Sequence, residues 1–131
     1  MLSHIDFTVV ALAAAAGVGV GAVWYGVLGT WWKRAHGMGP QGPRPGVLAF
    51  ALWAVGNLVA AFLLTDLLAD IGDASGPGGL VAGVLLGVGF CVPYMAMSNA
   101  FAGKPMALTL IDGGHAVAAL AATGLVIGAM S

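Results

Sequence analysis

The sequence predicts an all-α integral membrane protein of four transmembrane helices in a single domain, and three observations lead to this prediction. Only 7% of the 131 residues are charged and 60% are apolar, whereas a soluble domain carries about 25% charged residues because its surface faces water. Four apolar stretches are each close to the roughly 20 residues that cross a bilayer as a helix. None of the four alternates polar and apolar residues, as the strands of a membrane β-barrel do.

Each predicted helix is bounded by residues that interrupt helices or prefer water. The first connection, at 33–45, contains Pro40, Pro43 and Pro45, which interrupt regular helical structure. The second connection is acidic, and the third ends in Pro105, a residue that suits the first turn of a helix. The single domain, residues 1–131, is therefore predicted to hold helices at about 5–28, 47–68, 79–97 and 106–130.

The positive charges predict the orientation of these helices. All Lys and Arg residues lie in the first and third connections, as Lys33, Arg34, Arg44 and Lys104. Because cytoplasmic loops carry an excess of Lys and Arg, loops 33–45 and 102–105 are expected in the cytoplasm. Both termini and the acidic connection with Asp70 and Asp73 are then expected on the outer side. No Lys or Arg precedes the first apolar stretch, so we interpret it as a retained helix rather than a signal peptide.

The two halves of the chain are similar, which predicts an internal repeat of two helical hairpins with the same topology. Gly56-Asn57 in the second helix and Gly114-His115 in the fourth are each followed by two apolar residues and a pair of Ala residues. Tyr25 and Tyr94 occupy equivalent positions in the first and third helices. Repeats of this kind are related by an axis along the membrane normal. Chance similarity between Ala- and Gly-rich helices is the alternative.

Small residues recur at every fourth position in two of the helices. The first helix carries Gly17 and Gly21, and the third carries Gly79, Gly83 and Gly87. Residues four apart share one helix face, and small residues on that face let two helix backbones approach closely in a membrane. These positions are therefore predicted to be helix-packing sites. The two Gly faces either meet each other inside the chain or pair with a second copy.

The fourth helix carries two ionisable residues close to the expected middle of the bilayer. Asp112 and His115 are three residues apart and share a face. At about 1.5 Å per residue from Pro105, His115 lies roughly 15 Å deep, near the midplane of a ~30 Å hydrocarbon core. Ionisable groups at this depth usually face the bundle interior. The predicted polar centre comprises His115, Asp112, Asn57, Tyr25 and Tyr94. We expect it to bind a ligand or a proton. Alternatively, Asp112 and His115 satisfy each other and a backbone carbonyl, and only lock the bundle.

Several classes of function find no support in the sequence. The single cysteine, Cys91, excludes a disulfide within the chain and a metal site built from cysteines. There is no zinc-protease motif, phosphate-binding loop or serine-hydrolase elbow, and Asp112 with His115 is fewer than the three or four ligands that zinc prefers. The chain also lacks a basic stripe for nucleic acid. We therefore expect no enzyme, no cofactor, no metal and no nucleic-acid partner.

Pro93 interrupts the third predicted helix. Because proline lacks a backbone N–H, it is expected to kink the helix. The kink either opens a cavity towards the cytoplasm or marks the end of the helix.

Three stretches of the sequence carry a resemblance to a known family. They are Gly21-Ala22-Val23-Trp24-Tyr25-Gly26 with Trp31-Trp32, Gly87 to Phe90 with Asn99-Ala100-Phe101-Ala102-Gly103-Lys104-Pro105, and Ile111-Asp112-Gly113-Gly114-His115 with Gly124 and Gly128. In order and spacing, the chain resembles the small bacterial membrane proteins catalogued as domain of unknown function 1761 (DUF1761). That family often has an aromatic residue before the histidine, where this chain has Gly114. The resemblance implies a four-helix protein of the bacterial inner (plasma) membrane and implies no activity.

Two hypotheses about function follow. The first is an oligomeric channel- or transporter-like protein in the lipid bilayer, whose polar centre takes a small polar solute or a proton. We expect a homo-oligomer because four short helices enclose little space. The second is a structural or interaction protein that packs on other membrane proteins through its Gly-rich helix faces.

Overall fold

The computed structural model describes residues 5–39, 45–72 and 75–131, and its regular elements in these ranges are all helical. They are α1 (Phe7–Ala35), α2 (Val47–Ile71), α3 (Gly76–Leu86), a π-helical turn (Gly87–Cys91), α4 (Val92–Phe101) and α5 (Met106–Met130). The segment from α3 to α4 is one continuous span, so four spans are long and apolar enough to cross a membrane. The predicted all-α fold with four transmembrane helices is confirmed. Pro40, Pro43, Arg44 and Asp73 lie outside the described residues.

Three spans are longer than their predicted stretches, although α2 gains only one turn and ends at Ile71 rather than at residue 68. Helix α1 continues past residue 28 to Ala35, because Lys33 and Arg34 occupy its last turn, where positive charge interacts favourably with the helix dipole. The third span begins at Gly76 rather than at residue 79. Its N-terminus is capped by the Ser75 hydroxyl, which accepts a hydrogen bond of 3.0 Å from the Gly78 N–H.

Helix α5 is the central helix of the bundle and contacts all the others. Its closest neighbour is α3, since a Cβ atom placed on Gly79 would overlap the Gly124 carbonyl and one placed on Gly83 would overlap the Leu120 carbonyl. Such backbone contact is typical of small-residue packing in membranes. The Gly face of the third span therefore meets α5 within the chain, and it does not meet the Gly face of α1.

The tightly packed part of the bundle lies at the end that carries residues 5 and 131. Its buried cluster comprises Val9, Val10, Ala13 and Ala14 of α1, Ala61, Leu64 and Leu68 of α2, and Ile127 of α5. The N-terminal part of α2 is different, because residues 47–52 are all exposed within the chain. Helix α2 therefore packs on the bundle through its C-terminal half, and the bundle is open at the other end.

The irregularity expected at Pro93 is a π-helical turn that precedes it. The N–H of Val92 bonds to the carbonyl of Gly87, five residues back, a pattern that recurs as single turns within α-helices, often at functional sites. The helix continues beyond Pro93 to Phe101, so Pro93 does not mark its end. Ser98 and Asn99 consequently lie inside the span. The first span has no such turn between Phe7 and Ala35, and the internal repeat stays a prediction from the sequence.

Candidate functional site

A cavity of about 1000 Å³ lies on the open side of the bundle, and we call it the vestibule. It extends from the middle of the bundle to the end at which Lys33 and Pro45 lie. Helices α1, α2, α4 and α5 all contribute to its wall. The polar and aromatic side chains that line it are Tyr25, Trp32, Lys33, Phe50, Trp53, Tyr94, Ser98, Asn99, Asp112 and His115.

Two hydrogen bonds join α1 to α5 at the inner end of the vestibule. The Tyr25 hydroxyl donates to Asp112 Oδ1 at 2.5 Å, within the range of hydroxyl bonds to carboxylates. The neighbouring Trp24 indole N–H donates to the carbonyl oxygen of Ile111 at 2.9 Å. Adjacent residues of one helix thus bind adjacent residues of the other, which fixes the position of the Asp112 carboxyl group.

His115 lies next to this pair. Its ring centroid is 5.0 Å from that of Tyr25, with the ring planes at 57°. Its Nε2 atom is buried and has no hydrogen-bond partner among the described residues. Asp112 instead accepts a hydrogen bond from Tyr25. The alternative in which Asp112 and His115 bond to each other through this nitrogen is therefore not what the structure has. A buried polar atom without a partner is uncommon and costly, which marks His115 as a candidate binding residue.

Glycines make room for these side chains. A Cβ on Gly21 would lie 2.6 Å from the Trp53 ring and 3.0 Å from His115 Nε2. A Cβ on Gly114 would lie 2.7 Å from the Trp24 ring. Gly21 therefore serves to admit a histidine and a tryptophan beside α1, rather than to bring two helix backbones together.

Asn57 lies beyond the inner end of the vestibule, towards the packed core. Its side-chain amide donates to the carbonyl oxygen of Trp53 at 2.9 Å, and its Oδ1 atom lies against Gly17. The Thr123 hydroxyl, near the same glycine, donates to the carbonyl of Ala119 at 2.8 Å. Asn57 is thus part of a second polar layer and does not line the vestibule.

Only three of the five residues of the predicted polar centre lie together. Tyr25, Asp112 and His115 come together, whereas Tyr94 lies on the vestibule wall with its side chain 67% exposed. Tyr25 and Tyr94, which are equivalent in the predicted repeat, therefore have different surroundings.

The sequence does not predict Trp24, Trp53 or Thr123 as part of the site. Trp53 is four residues before Asn57 and so shares its helix face, and this spacing was a usable signal. The family resemblance includes Trp24 without giving it a role, and nothing local predicts the contacts of Trp24 or Thr123, because each has a partner in a distant helix. Asp66, near the other end of α2, is buried at 8% exposure, and its Oδ1 atom has no hydrogen-bond partner among the described residues.

The four spans, with a one-ended vestibule between them, define an all-α multipass membrane protein. The chain belongs to the family described as Protein of unknown function (DUF1761), whose sequence profile matches residues 8–128. This match covers parts of all four spans and confirms the resemblance found in the sequence. No curated protein and no solved structure matches the chain.

Proposed function

We propose that the protein is a transporter-like membrane protein that binds a solute in the vestibule and passes protons at its inner end. The observation that carries this proposal is the position of Asp112, which accepts the Tyr25 hydrogen bond at the inner end of a cavity of about 1000 Å³. An ionisable residue inside a membrane span is expensive and usually functional. Asp112 and His115 both line this cavity and both lie within the fourth span.

The closed end of the vestibule favours a transporter over an open channel. Between the vestibule and the far side lie Asn57, Thr123 and the buried core, in which Ala13 and Ala61 have 0% exposure. A path across the membrane therefore requires a rearrangement of the helices, as in alternating access. Assembly into a homo-oligomer is part of this proposal only as an expectation from the sequence, since one chain already encloses the vestibule.

The charges at the open end support a cytoplasmic mouth. Lys33 lies on the vestibule wall, and the Arg34 guanidinium carbon lies 5.1 Å from the Trp31 ring centroid. Basic residues and tryptophans together are typical of the cytoplasmic interface of a membrane. We therefore propose that solute enters from the cytoplasm of a bacterial cell and that both termini lie on the outer side.

The alternative, a protein that packs on partners through its Gly faces, has less support. Gly79 and Gly83 abut α5, and Gly17 and Gly21 abut Asn57 and Trp53. These faces are occupied within the chain.

The test is proton flux into proteoliposomes that contain a pH-sensitive dye, driven by an imposed pH gradient. We compare the wild type with Asp112→Asn and His115→Ala. Asp70→Asn is the matched control, because Asp70 is an exposed acid at the other end of α2. The wild type and the control are expected to conduct, and the two site variants to fall to the level of protein-free liposomes. Equal flux in folded Asp112→Asn, or no flux by the wild type, would overturn the proposal.

A further inference from the structure

We propose that the ligand of the vestibule is a hydrophobic organic cation, with Asp112 as its counter-ion and aromatic rings as its walls. This inference rests on the solute-binding role proposed above and names the chemical class of the solute.

The inner end of the vestibule has an acidic group without a cationic partner. Asp112 forms no ion pair with any described residue, and its described hydrogen bond comes from the neutral Tyr25 hydroxyl. A carboxylate has about four acceptor positions, so this bond leaves most of them for a ligand. Lys33 lines the mouth of the vestibule, near the end of α1. The ammonium group of Lys33 and the carboxyl group of Asp112 are thus at opposite ends of the vestibule. Electrostatic attraction is stronger in a medium of low dielectric constant, which favours a cation at the inner end.

Aromatic rings surround the route to this carboxylate. Tyr25 and Trp32 of α1 have ring centroids 6.2 Å apart in an edge-to-face arrangement. Phe50 and Trp53 of α2 have centroids 6.2 Å apart with the planes at 56°. Tyr94 of α4 adds a ring from a third element. The faces of aromatic rings attract cations, and cages of such rings bind quaternary ammonium groups.

The size and the polarity of the cavity further limit the chemical class of the ligand. At about 1000 Å³, it is at the upper end of the range for pockets that hold drug-sized molecules. The described residues contain no group of three His, Cys, Asp or Glu side chains that could hold a metal ion, which favours an organic cation over a bare metal ion. A strongly hydrated solute would lose its water against a mostly aromatic and apolar wall, and a neutral apolar solute would leave Asp112 without a counter-ion. A cation with its charge shielded by hydrocarbon meets both conditions.

Tetraphenylphosphonium and tetraphenylborate test this inference, because they have nearly the same shape and opposite charge. Binding of each to the purified protein in nanodiscs is measured by equilibrium dialysis, with empty nanodiscs to subtract partition into lipid. We expect saturable phosphonium binding at least about tenfold tighter than borate binding. Asp112→Asn is expected to abolish this preference, and Asp70→Asn to leave it unchanged.

A second substitution keeps the test valid if Asp112→Asn does not fold. Asp112→Glu retains the charge, and phosphonium is expected to remain the preferred ligand of this variant. Equal binding of the two ions by the wild type, or an undiminished preference in folded Asp112→Asn, would overturn the inference. If proton flux depends on Asp112 but phosphonium does not bind, the cation inference fails and the proposed transport role stands. If phosphonium binds but no proton flux is seen, the transport role fails and the cation inference stands.

Discussion

Tyr25 and Asp112, which are 87 residues apart, share a hydrogen bond of 2.5 Å at the inner end of the vestibule. It joins the first span to the fourth at the level where the vestibule ends and the packed core of the bundle begins. The same two residues also belong to the wall that a ligand would contact. The bond therefore has both a structural and a functional consequence.

Tyr25→Phe is expected to lower the free energy of unfolding by about 0.5–1.5 kcal/mol, because the hydrogen bond that joins α1 to α5 is lost. Thermal unfolding in detergent measures the change. Tyr94→Phe is the matched control, since Tyr94 is an exposed tyrosine on the same vestibule wall. Equal effects of the two substitutions would show that the Tyr25 bond does not stabilise the bundle.

Gly83→Ala is expected to destabilise the protein by about 1–3 kcal/mol or to prevent folding, as overpacked cores do. The added Cβ would overlap the Leu120 carbonyl, which is backbone and cannot rotate away. Gly26→Ala is the control, because nothing lies within 4 Å of a Cβ at that position. Size-exclusion chromatography and thermal unfolding distinguish the outcomes. A folded monomer that has merely lost an assembly would instead support the partner-packing hypothesis.

Gly21→Ala is expected to weaken ligand binding while the bundle stays folded. The new methyl group would meet the side chains of Trp53 and His115 rather than backbone, so these can shift into the vestibule. Tetraphenylphosphonium binding and tryptophan emission report the change. Gly29→Ala is the matched control, because Gly29 also lines the vestibule but has open space around it. Unaltered binding in Gly21→Ala would show that the inner end does not hold the ligand.

Thiol labelling is expected to distinguish the open end of the bundle from the closed one. In a Cys91→Ala background, Ala49→Cys on the vestibule wall should react with a membrane-impermeant thiol reagent applied to the cytoplasmic side. Ala61→Cys, at a position with 0% exposure, should not react. Labelling of Ala49→Cys from the outer side alone would reverse the proposed orientation.

The number of spans and the connection at 102–105, between Phe101 and Met106, could be predicted from the sequence alone. Apolar length and the positions of Gly and Pro are local properties, and they suffice to separate one span from the next. The sequence also placed Asp112 and His115 on one face, since that follows from helical geometry alone.

Which helix faces meet became clear only from the packing of the four spans. A helix in lipid is apolar on nearly all sides, so the pattern that reveals the buried face of a soluble helix is weak. For this reason the sequence left open what Gly83 packs against, and it did not indicate that Tyr25 binds Asp112 or that Trp53 fills the space at Gly21. These relationships depend on contacts between residues far apart in the chain, which come into being only when the four helices pack together.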